Sequence, residues 1–393
     1  MTETANLKEL LTRNLRQSGI FVAFVAIVLL FTILTDGVLL SSGNLSNVVL
    51  QFSYILILAI GMVIVIIGGH IDLSVGSVVA LTGAVSAVVV IQQGMPFWAG
   101  VLAAIATGLL VGAWQGFWVA VVGVPAFIVT LAGMLLFRGM TLLVLGNISL
   151  SPFPAEYTVI ASGFLDGFLG GTEVDVFTVL IGVLVAVGYA ISAFRKRRGM
   201  IRYDQTVEAT SLFLLRIGLV SLVVIAFAWR LAESRGLPVV LIILAVLILG
   251  YTLVTKKTIF GRHVYAIGGN QHAAELSGVK VRKINFWIFV NMGFLASIAG
   301  IVFSSRSNGA QPGAGEMFEL DAIAAAFIGG ASVKGGVGTV IGAVVGGLIM
   351  GVMANGMQLM GIDQALQSVV RGLVLLLAVA FDVYNKRRAT AKG

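Results

Sequence analysis

The chain has no cysteine among its 393 residues, which excludes disulfides and thiolate metal sites. Three histidines are too few for a multi-histidine metal centre. Charge is scarce as well. Asp, Glu, Lys and Arg make up 11% of the residues, where soluble globular domains carry about 25%. No G-x-x-x-x-G-K-[ST] occurs. GGASVKGG at 329–336 has glycines and a lysine, but the spacing is wrong and no Ser or Thr follows. Nucleotide hydrolysis by the P-loop route is therefore excluded for this chain. Nor do His, Asp and Glu cluster at spacings suited to a metal or to acid–base catalysis, which argues against an enzyme.

What is abundant is apolar. Hydrophobic residues make up 59% of the chain, mean hydropathy is +1.05, and there are 49 glycines. A bilayer core needs about 20 apolar residues per helix, and small residues let helices approach each other in lipid. The chain is an all-α polytopic membrane protein. Periodicity and punctuation predict spans near 19–35, 48–67, 75–92, 97–121, 125–145, 175–194, 211–232, 237–254, 284–304, 319–332, 337–359 and 366–384, about twelve in all. The segment 319–332 is too short to cross alone and reads as half of a broken span. The first apolar run is long for a signal-peptide core and no convincing cleavage site follows, so it reads as a retained span.

The net charge of +8 fits basic cytoplasmic loops better than nucleic acid. Lys8, Arg13 and Arg16 precede the first span, and RKRRGMIR fills 195–202. Lys256, Lys257, Arg262, Lys280, Arg282 and Lys283 flank another loop, and the tail ends NKRRATAKG. Counting spans puts all four clusters on one side, with both termini cytoplasmic. The loop from Asn147 to Asp175 carries Glu156, Asp166, Glu173 and Asp175 without Lys or Arg, and falls opposite.

The stretch YAIGGNQHAAELSGVKVRK at 265–283 is a polar insert between two apolar runs. Asn270 is a good N-cap, QHAAELS is helix-compatible, and Gly278 is placed to end the helix in the left-handed conformation. A helix of about two turns is marginal alone, so something must hold it. On physics alone it is either an ordinary connector or a docking element for a cytosolic subunit.

GRHVYAIGGNQHAAELSGVKVRK, followed by FLASIAGI, resembles the cytoplasmic coupling region of sugar-importing ABC permeases of the ribose/xylose type. HIDLSVGS at 70–77, PAFIVTLAGMLLFRGM at 125–140, AQP at 310–312, GEMFELDAIAAAFIGGASVKGGVG at 315–338 and NGMQLMG at 355–361 agree in content and order. Together these blocks are similar to the family over most of the chain outside 146–235, and most like its longer, xylose-type members. The resemblance implies a single permease domain over 1–393, with a ten-helix ABC-importer core, a two-helix insertion at 175–232 and a cytoplasmic coupling loop at 256–283. It implies an ATP-driven importer of a monosaccharide, a pentose such as xylose, in the bacterial inner membrane. The implied partners are a second copy of the permease, two cytosolic ATPase subunits or one fused tandem ATPase, a periplasmic sugar-binding protein and membrane lipid. ATP and Mg would sit on the ATPase, leaving this chain without a cofactor.

Within that frame Gly269 and Gly278 set the angle of the coupling helix, capped by Asn270. Ala273 and Ala274 keep one face small enough for a cleft, Leu276 offers an apolar anchor, and Glu275 a polar rim contact. In HIDLSVGS, Asp72 or Ser74 can cap the helix that begins near Val75. Alternatively the chain breaks within the membrane, where irregular backbone is tolerated if it lines a cavity. Asp321 opens a short helix from the opposite side, as an inverted repeat would. Arg138 lies in an apolar span and needs a partner, Asp72 or Asp321 being candidates for a salt bridge, unless it contacts substrate. Arg371 can snorkel to the interface, and Asn355 and Gln358 read as helix–helix glue or ligand contacts. Ser77, Thr130 and Ser332 are small pathway candidates. An ion-coupled secondary sugar transporter remains the alternative, with Asp72 and Asp321 as its coupling acids.

Overall fold

The run ILILAIGMVIVII at 55–67 has no polar face, and a helix apolar all round belongs at the centre of a bundle. In the computed structural model, which describes residues 4–5, 15–170, 174–205 and 207–390, this run forms the buried part of helix α2 (Ser42–Ile67). Helix α1 (Leu15–Leu34) precedes it. Then come α3 (Val75–Ala87), α4 (Phe97–Phe117), α5 (Ala126–Leu145), a short α6 (Ala155–Ser162), α7 (Val176–Arg202), α8 (Thr210–Ala232) and α9 (Val239–Lys257). Two polar-side helices, α10 (Ile259–Gly269) and α11 (Gln271–Leu276), lead into α12 (Val281–Ser307). The chain closes with α13 (Phe318–Ile328), α14 (Val340–Leu359) and α15 (Gln364–Thr390). Among the described residues, strands are limited to two-residue pairs such as Phe164–Leu165 against Leu237–Pro238.

Among the described residues nine of these helices, some with a π-helical last turn, are long and apolar enough to span a membrane. Gly19–Leu34 and Gln364–Leu377 are shorter apolar segments. The sequence anticipates α1 to α5, α7 to α9, α11 and α12 to α15 as separate elements, and it misses α6 and α10. The basic residues Lys8 and Arg13 and the acidic Glu173 lie outside the described residues. Helix alternation gathers the 195–202 cluster and the charges of 256–283 at one end of the molecule. Glu156, Asp166 and Asp175 lie at the other.

The core forms around α2, α12, α13 and α14. Glycine makes the closest approach possible: Gly108, Gly112 and Gly116 on α4 lie against the backbone of α12 at Gly293, Phe289 and Phe286, where any Cβ would overlap main-chain atoms. Side-chain amides tie helix ends. Asn44 and Asn355 exchange two hydrogen bonds at 2.8 and 3.1 Å, and Gln51 donates to Gln358 at 3.2 Å. Asn355 therefore ties α14 to α2 at the end remote from α10.

Helices α7 and α8 pack chiefly on each other and leave most of their surface exposed, as a peripheral pair does. The carboxylate of Asp175 caps α7, accepting from the Thr178 amide at 2.8 Å and the Gly167 amide at 3.1 Å.

Candidate functional site

Two interrupted helices enter the bundle from opposite ends. After α2 the chain turns at Gly68 and Gly69 and runs without regular structure through 70–74 before α3 starts at Val75. After α12 it turns at Asn308, runs through 309–317, and begins α13 beside Tyr54 in the middle of α2. Helix α13 has 11 residues, about half a span. The two breaks meet backbone to backbone. A Cβ at Gly76 would overlap the carbonyl of Gly315 and the Glu319 carboxylate, and one at Gly315 would overlap the carbonyl of Gly76. Gly315 also has φ +73°, a left-handed conformation that favours glycine.

The first break is lined by a small polar cluster. Asp72 Oδ1 accepts from the Ser74 amide at 2.8 Å and from its hydroxyl at 2.7 Å. Gln115 Nε2 on α4 donates to Ser74 Oγ, Ser77 Oγ donates to Ser74 O at 2.7 Å, and Thr130 Oγ1 donates to Ile71 O at 3.3 Å. All five residues are buried, so a solute reaches them only if the break opens. The expectation that Asp72 or Ser74 caps α3 needs correction. The Asp72 carboxylate closes its own turn, and no side chain caps that helix.

The second break is charged. Arg138 donates to Ala314 O, a backbone carbonyl of the turns that precede α13, so neither Asp72 nor Asp321 is its partner. Helix α13 opens at Phe318, with Asp321 in its first turn facing Arg371 of α15 at 3.5 Å. Arg371 therefore reaches inward to a carboxylate and does not snorkel. Glu319, which no motif singled out, is buried at the crossing with Oε2 unpartnered among the described residues. Its signal is the i, i+2 acidic pair at the head of an apolar helix.

The Asp321–Arg371 pair is partly buried, with side chains 12% and 29% exposed. Arg371→Gln is expected to cost about 1–3 kcal/mol, below the range for fully buried pairs because solvent screens this one. Adding Asp321→Asn should recover part of the loss, since no lone carboxylate remains. Thermal unfolding of the single and double variants checks this, and a double variant no better than the single one would contradict it.

At the basic end, α10 and α11 form a platform. Thr258 Oγ1 accepts from the Gly261 amide at 3.1 Å to cap α10, and Asn270 Oδ1 accepts from the Ala273 amide at 3.0 Å to cap α11. Gly278 ends the platform at φ +84°. Underneath, Gly268 sits so close to Ile67 O and Gly336 N that a Cβ would overlap both. The Gly336 amide donates to Ile67 O at 2.9 Å and Tyr265 Oη to Gly338 O at 2.7 Å. The platform thus grips both the end of α2 and the turn at 329–339, from which the broken segments depart.

Ser332 belongs to that turn, its Oγ accepting from the Lys334 amide at 3.2 Å, and so lies away from the crossing. On α11, Glu275 and Ala273 are exposed and Leu276 is 78% exposed, while Ala274 is buried against the bundle. Ala274 therefore anchors the helix and does not line an outward cleft. Gly269 and Asn270 are exposed at the joint. A cavity of about 570 Å³ beside the platform is lined by His70, Gly123, Glu275, Arg282 and Asn285, and opens toward the first break.

Residues 44–379 match the family model described as branched-chain amino acid transport system / permease component. The chain belongs to this family. It is 41% identical over 375 residues to the xylose transport system permease protein XylH of Haemophilus influenzae, covering 95% of this chain and 98% of that one. Identity to XylH of Escherichia coli K12 is 40% over 379 residues, 96% and 94% of the two chains. The ribose import permease protein RbsC of Haemophilus influenzae is 32% identical over 382 residues, 97% of each. No solved structure matches the chain. The permease is a multi-pass inner-membrane translocation subunit of the ribose/xylose type of ABC importer, not an enzyme. It works with an ATPase and a periplasmic binding protein. The ion-coupled transporter that Asp72 and Asp321 kept open falls away with this membership.

Proposed function

We propose that this permease imports a pentose such as xylose, delivered by the binding protein, with α11 as the docking element for the ATPase. The observation that carries the reading is the platform: a capped α11 with an exposed Leu276, continuous with α10, which contacts both the end of α2 and the 329–339 turn. Two copies of the permease meet two ATPase subunits, or one fused tandem ATPase, on the cytoplasmic face. ATP and Mg bind there, and this chain carries no cofactor. When ATP draws the ATPases together, α11 moves with them. Helix α11 is joined to α10, whose Tyr265 bonds Gly338 and whose Gly268 abuts Ile67, so the displacement reaches both broken segments and biases the crossing between inward- and outward-open states. Asp72, Ser74, Ser77, Gln115 and Thr130 then offer weak hydrogen bonds to sugar hydroxyls. Arg138 holds the second segment through Ala314, and Asp321 does so through Arg371.

The absence of native cysteine makes a direct test possible. Glu275→Cys supplies the chain's single thiol, and co-expression with the ATPase subunit should give a cross-link whose yield changes with ATP. Xylose carried by the binding protein should raise ATP turnover in vesicles. A thiol labelled only from the periplasmic side, with no cross-link, would overturn the docking role and the cytoplasmic placement of both termini.

A further inference from the structure

The outward side of α12 carries a second, unrelated feature. Lys283, Trp287 and Asn291 follow at spacings of four residues and so share one face of the helix, with Lys280 at its N-cap. Facing them are Tyr251 near the end of α9 and Phe260 on α10, and between these walls lies a groove of about 640 Å³. The groove starts at the basic end of the molecule, level with Gly278, and runs about 16 Å along α12 to Asn291.

Its chemistry is uneven in a way that points to one kind of occupant. The mouth has two exposed ammonium groups one helical turn apart. No carboxylate lines the groove, and neither lysine has an ion pair among the described residues. Apart from His263 the walls are apolar and aromatic, and Trp287, a residue type enriched at membrane boundaries, is 48% exposed. At the deep end the Tyr251 hydroxyl donates to Asn291 Oδ1, which leaves Asn291 Nδ2 buried without an acceptor. The Cα–Cβ bond of a helical residue tilts toward the N-terminus, here toward the mouth of the groove.

We infer that the groove binds an anionic phospholipid. The phosphate sits between Lys280 and Lys283, relieving their mutual repulsion. An ester carbonyl lies within reach of Asn291 Nδ2, and the acyl chain runs past Trp287 and Phe260. A soluble anion would have no use for the apolar walls, and a zwitterionic lipid would bring its own cation to the two lysines. Basic pockets between spanning helices select acidic headgroups for this reason. The lipid would bear on the junction of α11 and α12, yet the inference needs only that the chain spans a bilayer and does not depend on what docks at α11.

Quenching of tryptophan by brominated lipid tests it with the full chain in phosphatidylcholine vesicles. The chain has five tryptophans, so the Trp287 signal is the difference between wild type and Trp287→Phe. Dibrominated phosphatidylglycerol should half-quench that signal at a lower mole fraction than dibrominated phosphatidylcholine, by on the order of fivefold for each lysine engaged. The Lys280→Gln/Lys283→Gln variant should bring the two curves together, and Lys280→Arg/Lys283→Arg should keep them apart. Coincident curves in the wild type would overturn the inference, as would a separation that survives the double Gln variant. So would a Trp287 that neither lipid quenches, the result expected if a second copy of the chain fills the groove.

Discussion

Gly315→Ala is expected to destabilise the permease by about 2–5 kcal/mol and to abolish transport. Two costs combine. The residue has φ +73°, which costs an L-residue about 1–2 kcal/mol. The new Cβ would overlap the Gly76 carbonyl, which is backbone and cannot rotate away, and overpacking of this kind costs about 1–3 kcal/mol. Gly76→Ala should behave similarly through its overlap with Gly315 O and Glu319. Gly139→Ala on α5 is the control, because nothing lies within 4 Å of the added atom. It should be neutral or slightly stabilising through helix propensity. Thermal unfolding in detergent reads all three. A Gly315→Ala protein that melts with the wild type would mean that the two broken segments do not meet as described.

Much of the architecture was legible because membrane helices declare themselves by length and hydropathy. The local punctuation of α11 was legible as well: Asn270 accepts from Ala273 and Gly278 takes positive φ, both recognisable from residue type and spacing. Helix α6 was not. It is an eight-residue helix starting after Pro154, with no long apolar run to mark it. Its importance is tertiary: Tyr157 Oη lies 2.9 Å from Ser304 Oγ, and Ser305 Oγ donates to Tyr157 O at 2.8 Å.

The site was half legible for a related reason. An acid in an apolar helix signals that it needs a partner but does not say which. Asp321 and Arg371 are 50 residues apart and meet only once α13 and α15 pack. Arg138 satisfies a backbone carbonyl, and no pattern of charged residues could show that. In sequence Ala274 is indistinguishable from Ala273, because alanine suits both an exposed and a buried face. Only the packing of α11 on the bundle separates the two.

That separation leads to the second large effect. Leu276→Asp is expected to reduce transport by about tenfold or more while leaving the melting temperature unchanged. At 78% exposure the side chain contributes little to the fold, and surface substitutions of this kind shift stability by about 0.5 kcal/mol or less. Leu276 is an apolar side chain held out on a short capped helix, left exposed by the described residues. If the ATPase covers it, the introduced carboxylate would be an unpaired charge in a desolvated pocket, and central anchors of interfaces cost about 2 kcal/mol or more when removed. Leu276→Met should keep most activity, since it preserves volume and apolarity. Ala274→Asp gives the contrasting signature, a protein that loses stability and transport together because its charge is buried against the permease itself. Uptake into vesicles beside melting temperatures distinguishes the two residues. Full transport by Leu276→Asp would remove α11 as the point where the ATPase grips, and the displacement would then have to enter the bundle through the exposed surface of α10.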